Sequence, residues 1–280
     1  MPRIWFRRVV KGSLLVALVV FAAALVTPLG RYLLRAAWEE ARILARRRPI
    51  EALVRDSATA PELRQRLRLV LDARAYAADS LGLEAGESFT TYSRLDRDTL
   101  VLVLSAAYRD RLEAYRWWFP VVGRLPYKGY FDPAAALRAR DDFQARGFDT
   151  YLRPASAFST LGWFNDPLLS TTVRADTTWL ANTVIHELSH NTLFVKGNAE
   201  FSESFASFIG ARGAEAFFRS RGAPGAAERV ARDWANDQLL GRFWERTAAA
   251  LDSAYAAWPA DSARRVEARD TVYARARRLL

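Results

Sequence analysis

His186 and His190 are the only two histidines of the chain, four residues apart, and Glu187 follows the first. Thr177 to Val195 has apolar residues at helical spacing (Trp179, Leu180, Val184, Leu188, Phe194), and Gly197 stands just past the end, where helices commonly stop. On one helix these two positions project from the same face, roughly 6 Å apart along the axis, so both imidazoles can reach one metal ion. Glu187 is rotated about 100° from His186, beside such a metal and not on it. The pattern His-Glu-x-x-His is what metal-assisted hydrolysis of a carbonyl compound requires. Zinc brings the pKa of a water toward ~7, and the neighbouring carboxylate takes the proton as that water attacks. The expectation is one Zn2+ per chain, ligated by His186 and His190, with Glu187 as catalytic base.

A catalytic zinc site needs a third protein ligand. With no cysteine and no further histidine, that ligand must be Asp or Glu. Ala199 to Ile209 reads as a second helix, capped by Asn198 and folded back by a short turn. Glu203, deeper in that helix among small residues, is chosen as ligand, and Glu200 is its competitor. Glu200 reads either as a favourable charge in the first helical turn or as a carboxylate that could hold a substrate amine. Phe201, Phe205 and Phe208 are read as the packing face.

The rest of the chain must position these groups. Residues 31 to about 48 are helical, and Pro49 ends that helix or begins a short one to about Arg55. A further helix runs to about Leu81. Thr99 to Leu104 reads as a buried strand, Pro120 to Phe131 as strand and turn, Pro133 to about Gly147 as a helix, and Asp149 to Arg153 as a short strand. Pro154 to about Asp176 is irregular, and beyond it the chain is almost wholly helical. This is an α+β domain, predominantly helical with a small central sheet.

The chain has 280 residues, 51% apolar and 26% charged, enough for one sizeable folded domain. Arg3, Arg7, Arg8 and Lys11 precede an uncharged run from Gly12 to Gly30, the architecture of a signal peptide or retained signal anchor. The domains are therefore read as 1–30, one N-terminal transmembrane or signal helix, and 31–280, the catalytic domain. A retained anchor fits the run's length better than cleavage at Ala22-Ala23-Ala24, and the basic flank places the body on the extracytoplasmic, periplasmic side of a bacterial inner membrane. The net charge of +10 comes almost wholly from arginines scattered on helical stretches, so nucleic acid is not expected as a partner.

Glu203-Ser204-Phe205-Ala206 after His186-Glu187-Leu188-Ser189-His190 resembles the bacterial predicted-aminopeptidase family of gluzincin-type zinc metallopeptidases. The likeness extends through Arg47-Arg48-Pro49-Ile50, Tyr127-Lys128-Gly129-Tyr130-Phe131, Ser159-Thr160-Leu161-Gly162-Trp163-Phe164 and Asp166-Pro167-Leu168-Leu169-Ser170-Thr171, roughly residues 31 to 215. It implies a zincin-like fold and a zinc-dependent, membrane-associated aminopeptidase acting on peptides or proteins. His186, His190 and Glu203 would be ligands and Glu187 the base, with active-site helices at about 177–196 and 199–220. Three departures stand out. Leu29-Gly30-Arg31 lies where many members carry a lipoprotein cysteine. Ser207 replaces an Asp that supports a histidine ligand in many gluzincins, and the C-terminal subdomain is expected to be abbreviated. Tyr127 and Tyr130 are candidate oxyanion donors, and the segment from Trp163 to Thr171 is a candidate wall of the substrate cleft. Two other readings keep the same residues: an envelope endopeptidase, and a membrane-tethered interaction protein with a vestigial metal site.

Overall fold

The computed structural model describes residues 25–96, 101–119, 123–155, 167–195 and 198–280. Most of the apolar run before Gly30 lies outside them, and among the described residues no helix is long and apolar enough to cross a membrane. The chain divides into two units, Met1–Arg47 and Arg48–Leu280.

The described part of the first unit is mainly helix α1, Pro28–Ala45. It begins three residues earlier than its apolar spacing suggests, because Thr27 caps it: the Gly30 amide donates to the Thr27 hydroxyl at 3.1 Å. Pro28 fills the first turn, where its missing N–H is no loss.

The second unit opens with β1 (Arg48–Pro49), α2 (Ile50–Arg55), α3 (Pro61–Asp79) and β2 (Thr91–Ser93). A strand-rich portion follows: β3 (Leu102–Ala107), β4 (Trp117–Phe119), β5 (Gly123–Leu125), β6 (Tyr127–Tyr130), α4 (Pro133–Ala145) and β7 (Asp149–Pro154). Then come β8 (Leu168–Leu169), α5 (Ser170–Val173), α6 (Thr177–Thr192), α7 (Ala199–Ser220), α8 (Pro224–Ala256) and α9 (Ser262–Arg277). The segment expected to be irregular up to Asp176 thus holds a short strand and a short helix.

The expected single sheet is divided among the described residues into three small ones, ordered β1-β2-β8, β6-β3-β7 and β4-β5. Among the described residues no strand exceeds six residues, so none spans more than one of these patches. β8 pairs parallel with β2, setting Leu168 opposite Tyr92, while β3 pairs antiparallel with both β6 and β7.

The main core is helical. Leu67 and Val70 of α3 meet Leu180, Val184, Ile185 and Leu188 of α6, with Phe217 of α7 against them. All these residues are essentially inaccessible to water. Burying each large aliphatic side chain stabilises the fold by roughly 1.5–3 kcal/mol, which fixes α6 as the central element. A second cluster, Leu104, Ala106 and Phe143, is ringed by Tyr115, Trp117, Tyr130 and Phe148, so Tyr130 packs there.

The strand-rich portion is tied to α8 and α9 by polar groups. The Asp110 carboxylate accepts hydrogen bonds from the Ser262 hydroxyl (3.0 Å) and Arg265 (3.2 Å). The Tyr255 hydroxyl donates to the Arg109 carbonyl at 3.1 Å, Arg109 pairs with Asp270 at 3.2 Å, and Arg269 pairs with Asp149. Burial opposes ionisation of Asp110, but Ser262, Arg111 and Arg265 outweigh it and hold the carboxyl below its ordinary range. Burial, followed by the neighbouring Tyr273 and the carboxylates of Asp110, Asp252 and Asp270, pushes the Tyr255 phenol up to about 12.

The signs differ. Asp110 titrates lower when folded, so its contribution is present above about pH 4 and is lost as pH falls through the folded value. Tyr255 titrates higher when folded, so its contribution is intact below about pH 10 and is lost as pH rises toward about 12. Asp110→Asn is expected to lower the unfolding free energy by about 1–3 kcal/mol at pH 7. In urea titrations that difference from wild type should shrink below pH 4. Tyr255→Phe should remove part of the alkaline loss.

Candidate metal centre

Helix α6 carries both histidines. Asp176 caps its start, accepting from the Thr178 amide at 2.8 Å. The Arg66 guanidinium of α3 donates to the carbonyls of Val173 (2.8 Å) and Ala175 (2.6 Å), holding the chain as it enters the helix. At the other end the Thr192 hydroxyl accepts from the Glu84 amide (2.8 Å), and Asn191 donates to the Ser88 hydroxyl (3.1 Å). The helix is therefore pinned at both ends.

It stops at Thr192, three residues short of the expected Val195, and Leu193 is already extended. The reason is tertiary. Ser202, fully buried in α7, accepts from the Val195 amide (3.1 Å) and donates to the Asn198 carbonyl (3.1 Å). The Val195 amide is thus drawn out of the helical ladder and into the turn. Asn198 caps α7 as expected, accepting from the Phe201 amide at 3.1 Å.

The face of α7 that meets α6 is not the phenylalanine stripe. Phe201 and Phe208 are 45% and 49% exposed, whereas Ser202, Ala206, Gly210 and Ala214, spaced every four residues, are buried. Phe201 stacks on Phe205, and Phe208 meets Trp234 of α8 edge-on. Small residues win the interface because the backbones approach closely there. A Cβ at Gly210 would lie 2.6 Å from Asn182 Oδ1 and 3.0 Å from His186 Cβ, and one at Gly213 would lie 2.9 Å from Ile185 Cγ2.

That approach brings three predicted ligands together. The Glu203 carboxylate spans the two rings, with Oε2 3.5 Å from His186 Nε2 and Oε1 3.6 Å from His190 Nε2. The ligand atoms offered by the three residues all lie within 4.8 Å of one another. Zinc holds nitrogen and oxygen donors at about 2.0–2.2 Å in a tetrahedron, which separates donors by roughly 3.3–3.6 Å, so the residues present fit the ion. Glu203 is exposed and reaches the histidines from the edge of the interface.

Burial, then the neighbouring His190, holds the His186 pKa below the ordinary imidazole value, and Glu203 offsets this only in part. Neutral imidazole with a free lone pair is the ligand form. His190 Nδ1 is buried without a hydrogen-bond partner among the described residues.

The other candidates are distributed as follows. Glu187 is partly buried on α6 next to His186. Glu200 is exposed in the first turn of α7. Ser207 is half-buried on α7, and Tyr127 is exposed on β6. Of the candidate cleft segment, residues 163–166 lie outside the described residues, and Leu168 to Val173 are almost wholly buried as β8 and α5. Sequence reasoning missed Ser202, Gly210 and Gly213, although the i, i+4 run of small residues from Ser202 to Ala214 was a readable signal.

Two histidines and a glutamate carried on consecutive, closely packed helices define a candidate metal centre. Residues 31–280 match the family described as "Putative aminopeptidase", and the chain belongs to that family. Membership points to a peptidase acting on peptide substrates. No curated protein and no solved structure matches the chain.

Gly210→Ala is expected to destabilise the protein by about 1–3 kcal/mol, since an added Cβ would press on Asn182 and His186 of α6. Gly241→Ala, where an added Cβ meets nothing within 4 Å, should be neutral or stabilising by roughly 0.5–1 kcal/mol. Thermal unfolding of both variants beside wild type checks both.

Proposed function

We propose that the protein is a zinc-dependent aminopeptidase of gluzincin type with a zincin-like catalytic domain. The observation that carries this reading is the Glu203 carboxylate spanning both histidine Nε2 atoms at 3.5 and 3.6 Å. Family membership supports peptides as substrates and removal of N-terminal residues as the reaction.

In this reading His186, His190 and Glu203 hold the ion. When bound, zinc supplies a Lewis acid that acidifies water and polarises the scissile carbonyl. Glu187 takes the proton from the attacking water and returns it to the departing amine. His186, kept neutral by burial, offers its lone pair at physiological pH. We further infer that the run from Gly12 to Gly30 tethers the chain to a membrane with its catalytic domain outside the cytoplasm, a reading supported by the sequence alone.

Three measurements test the site. Metal analysis of the purified protein should give about one zinc per chain, consistent with three protein ligands and one open position. Glu203→Ala should lose most of that zinc. Glu187→Ala should retain it and lose hydrolysis by about 10²–10⁴-fold. Peptides with free amines should be cleaved and N-blocked ones spared. Cleavage of blocked peptides alone would make the enzyme an endopeptidase, and a native protein without zinc would sink the metal reading altogether.

A further inference from the structure

A histidine that holds a metal ordinarily donates its second ring N–H to a carboxylate, a carbonyl or water, and that bond fixes the ring. His190 has no such bond among the described residues: its Nε2 faces Glu203, and its Nδ1 is buried without a hydrogen-bond partner. The polar side chains beside it on α6 are engaged elsewhere. Ser189 donates to the His186 carbonyl at 2.6 Å, Asn191 donates to the Ser88 hydroxyl, and Thr192 accepts from the Glu84 amide.

Two rings contact it instead. His186 meets it edge-on, with centroids 5.0 Å apart and planes at 84°, and Phe194 meets it with centroids 6.1 Å apart and planes at 74°. Both are arrangements in which aromatic pairs attract. Phe194 is 60% exposed, so burial in the core does not account for where its ring stands. Its backbone does. The Leu193 amide donates to the Ser189 carbonyl at 2.9 Å, and Leu193 itself is extended (φ −144°, ψ 109°). On the other side, the Val195 amide donates to the Ser202 hydroxyl at 3.1 Å, and the Val195 carbonyl accepts from the Asn198 amide at 3.0 Å. The stem of Phe194 is thus fixed from both sides, with its ring laid back against the last turn of α6.

We propose that Phe194 is a positioning residue of the metal centre. Its ring, together with that of His186, holds the His190 imidazole in the orientation of a ligand, the part usually taken by a hydrogen bond to the second ring nitrogen. Ser202 acts through it, because the hydroxyl that sets the turn between α6 and α7 also sets the backbone next to Phe194. The inference rests on the zinc reading of the site and adds to it a residue that touches neither metal nor substrate.

The test is Co2+ titrated into the metal-free full chain in detergent. Visible absorption of the bound ion reports the number and arrangement of its donors, and urea unfolding without metal reports the fold. Phe194→Leu keeps an apolar side chain and removes the ring. It is expected to bind Co2+ about two- to tenfold more weakly than wild type. Its absorption band should also be weakened, and its metal-free urea midpoint should stay at the wild-type value. Phe194→Tyr restores the ring and should restore both affinity and band. A Phe194→Leu protein with wild-type affinity and band would overturn the inference and leave the zinc reading standing. So would equal losses in the leucine and tyrosine variants. A wild-type protein that takes up no Co2+ would overturn both together.

Discussion

The distance between α6 and α7 is the constraint on which the site depends. Metal donors must meet within a few tenths of an ångström, while side chains on two helices at ordinary spacing, 8–10 Å between axes, reach each other only at their tips. Gly210 and Gly213 remove the side chains that would set a wider spacing, and Ala206 and Ser202 continue the narrow seam. Glu203 borders that seam, so its short stem suffices to cover both imidazoles. Phe201, Phe205 and Phe208 of α7, displaced from this interface, are left for its other sides.

Position along the seam is controlled separately from distance. Ser202 joins the residue leaving one helix to the residue capping the next, fixing how far α7 slides against α6. Arg66 and the Asp176 cap hold the entry of α6, and Thr192 and Asn191 hold its exit. Each hydrogen bond is worth only about 1 kcal/mol net, but together they leave the histidine helix no axial freedom. The apolar contacts of Val184, Ile185 and Leu188 then prevent it from rolling.

Much of this was visible in the sequence, for identifiable reasons. The histidine pair, the Asn198 cap and Glu203 follow from spacing and local chemistry, which a linear chain displays directly. The packing face of α7 did not follow, because two stripes there share the helical period. One is Phe201, Phe205 and Phe208; the other is Ser202, Ala206, Gly210 and Ala214. Hydrophobicity favours the first, and closeness of approach selects the second. The end of α6 at Thr192 depends on a hydroxyl ten residues further on, and the pairing of β2 with β8 joins segments some 75 residues apart. Neither leaves a local trace.

Helix α8 has a mechanical consequence of its own. Its 33 residues extend about 50 Å. Ala227 and Val230 near one end belong to the core beneath the metal-bearing helices, and Thr247 and Leu251 toward the other are buried on the side of the Asp110 contacts. Residues 235–242 between them are exposed on every side. The helix is therefore a beam with two supports and a bare span. Because a continuous hydrogen-bonded helix transmits rotation with little bending, a tilt imposed at the far support would reach α7 as torque on its packing against α6. Glu203 sits at the edge of that seam, where such a torque would act on it before it reached the buried histidine stems.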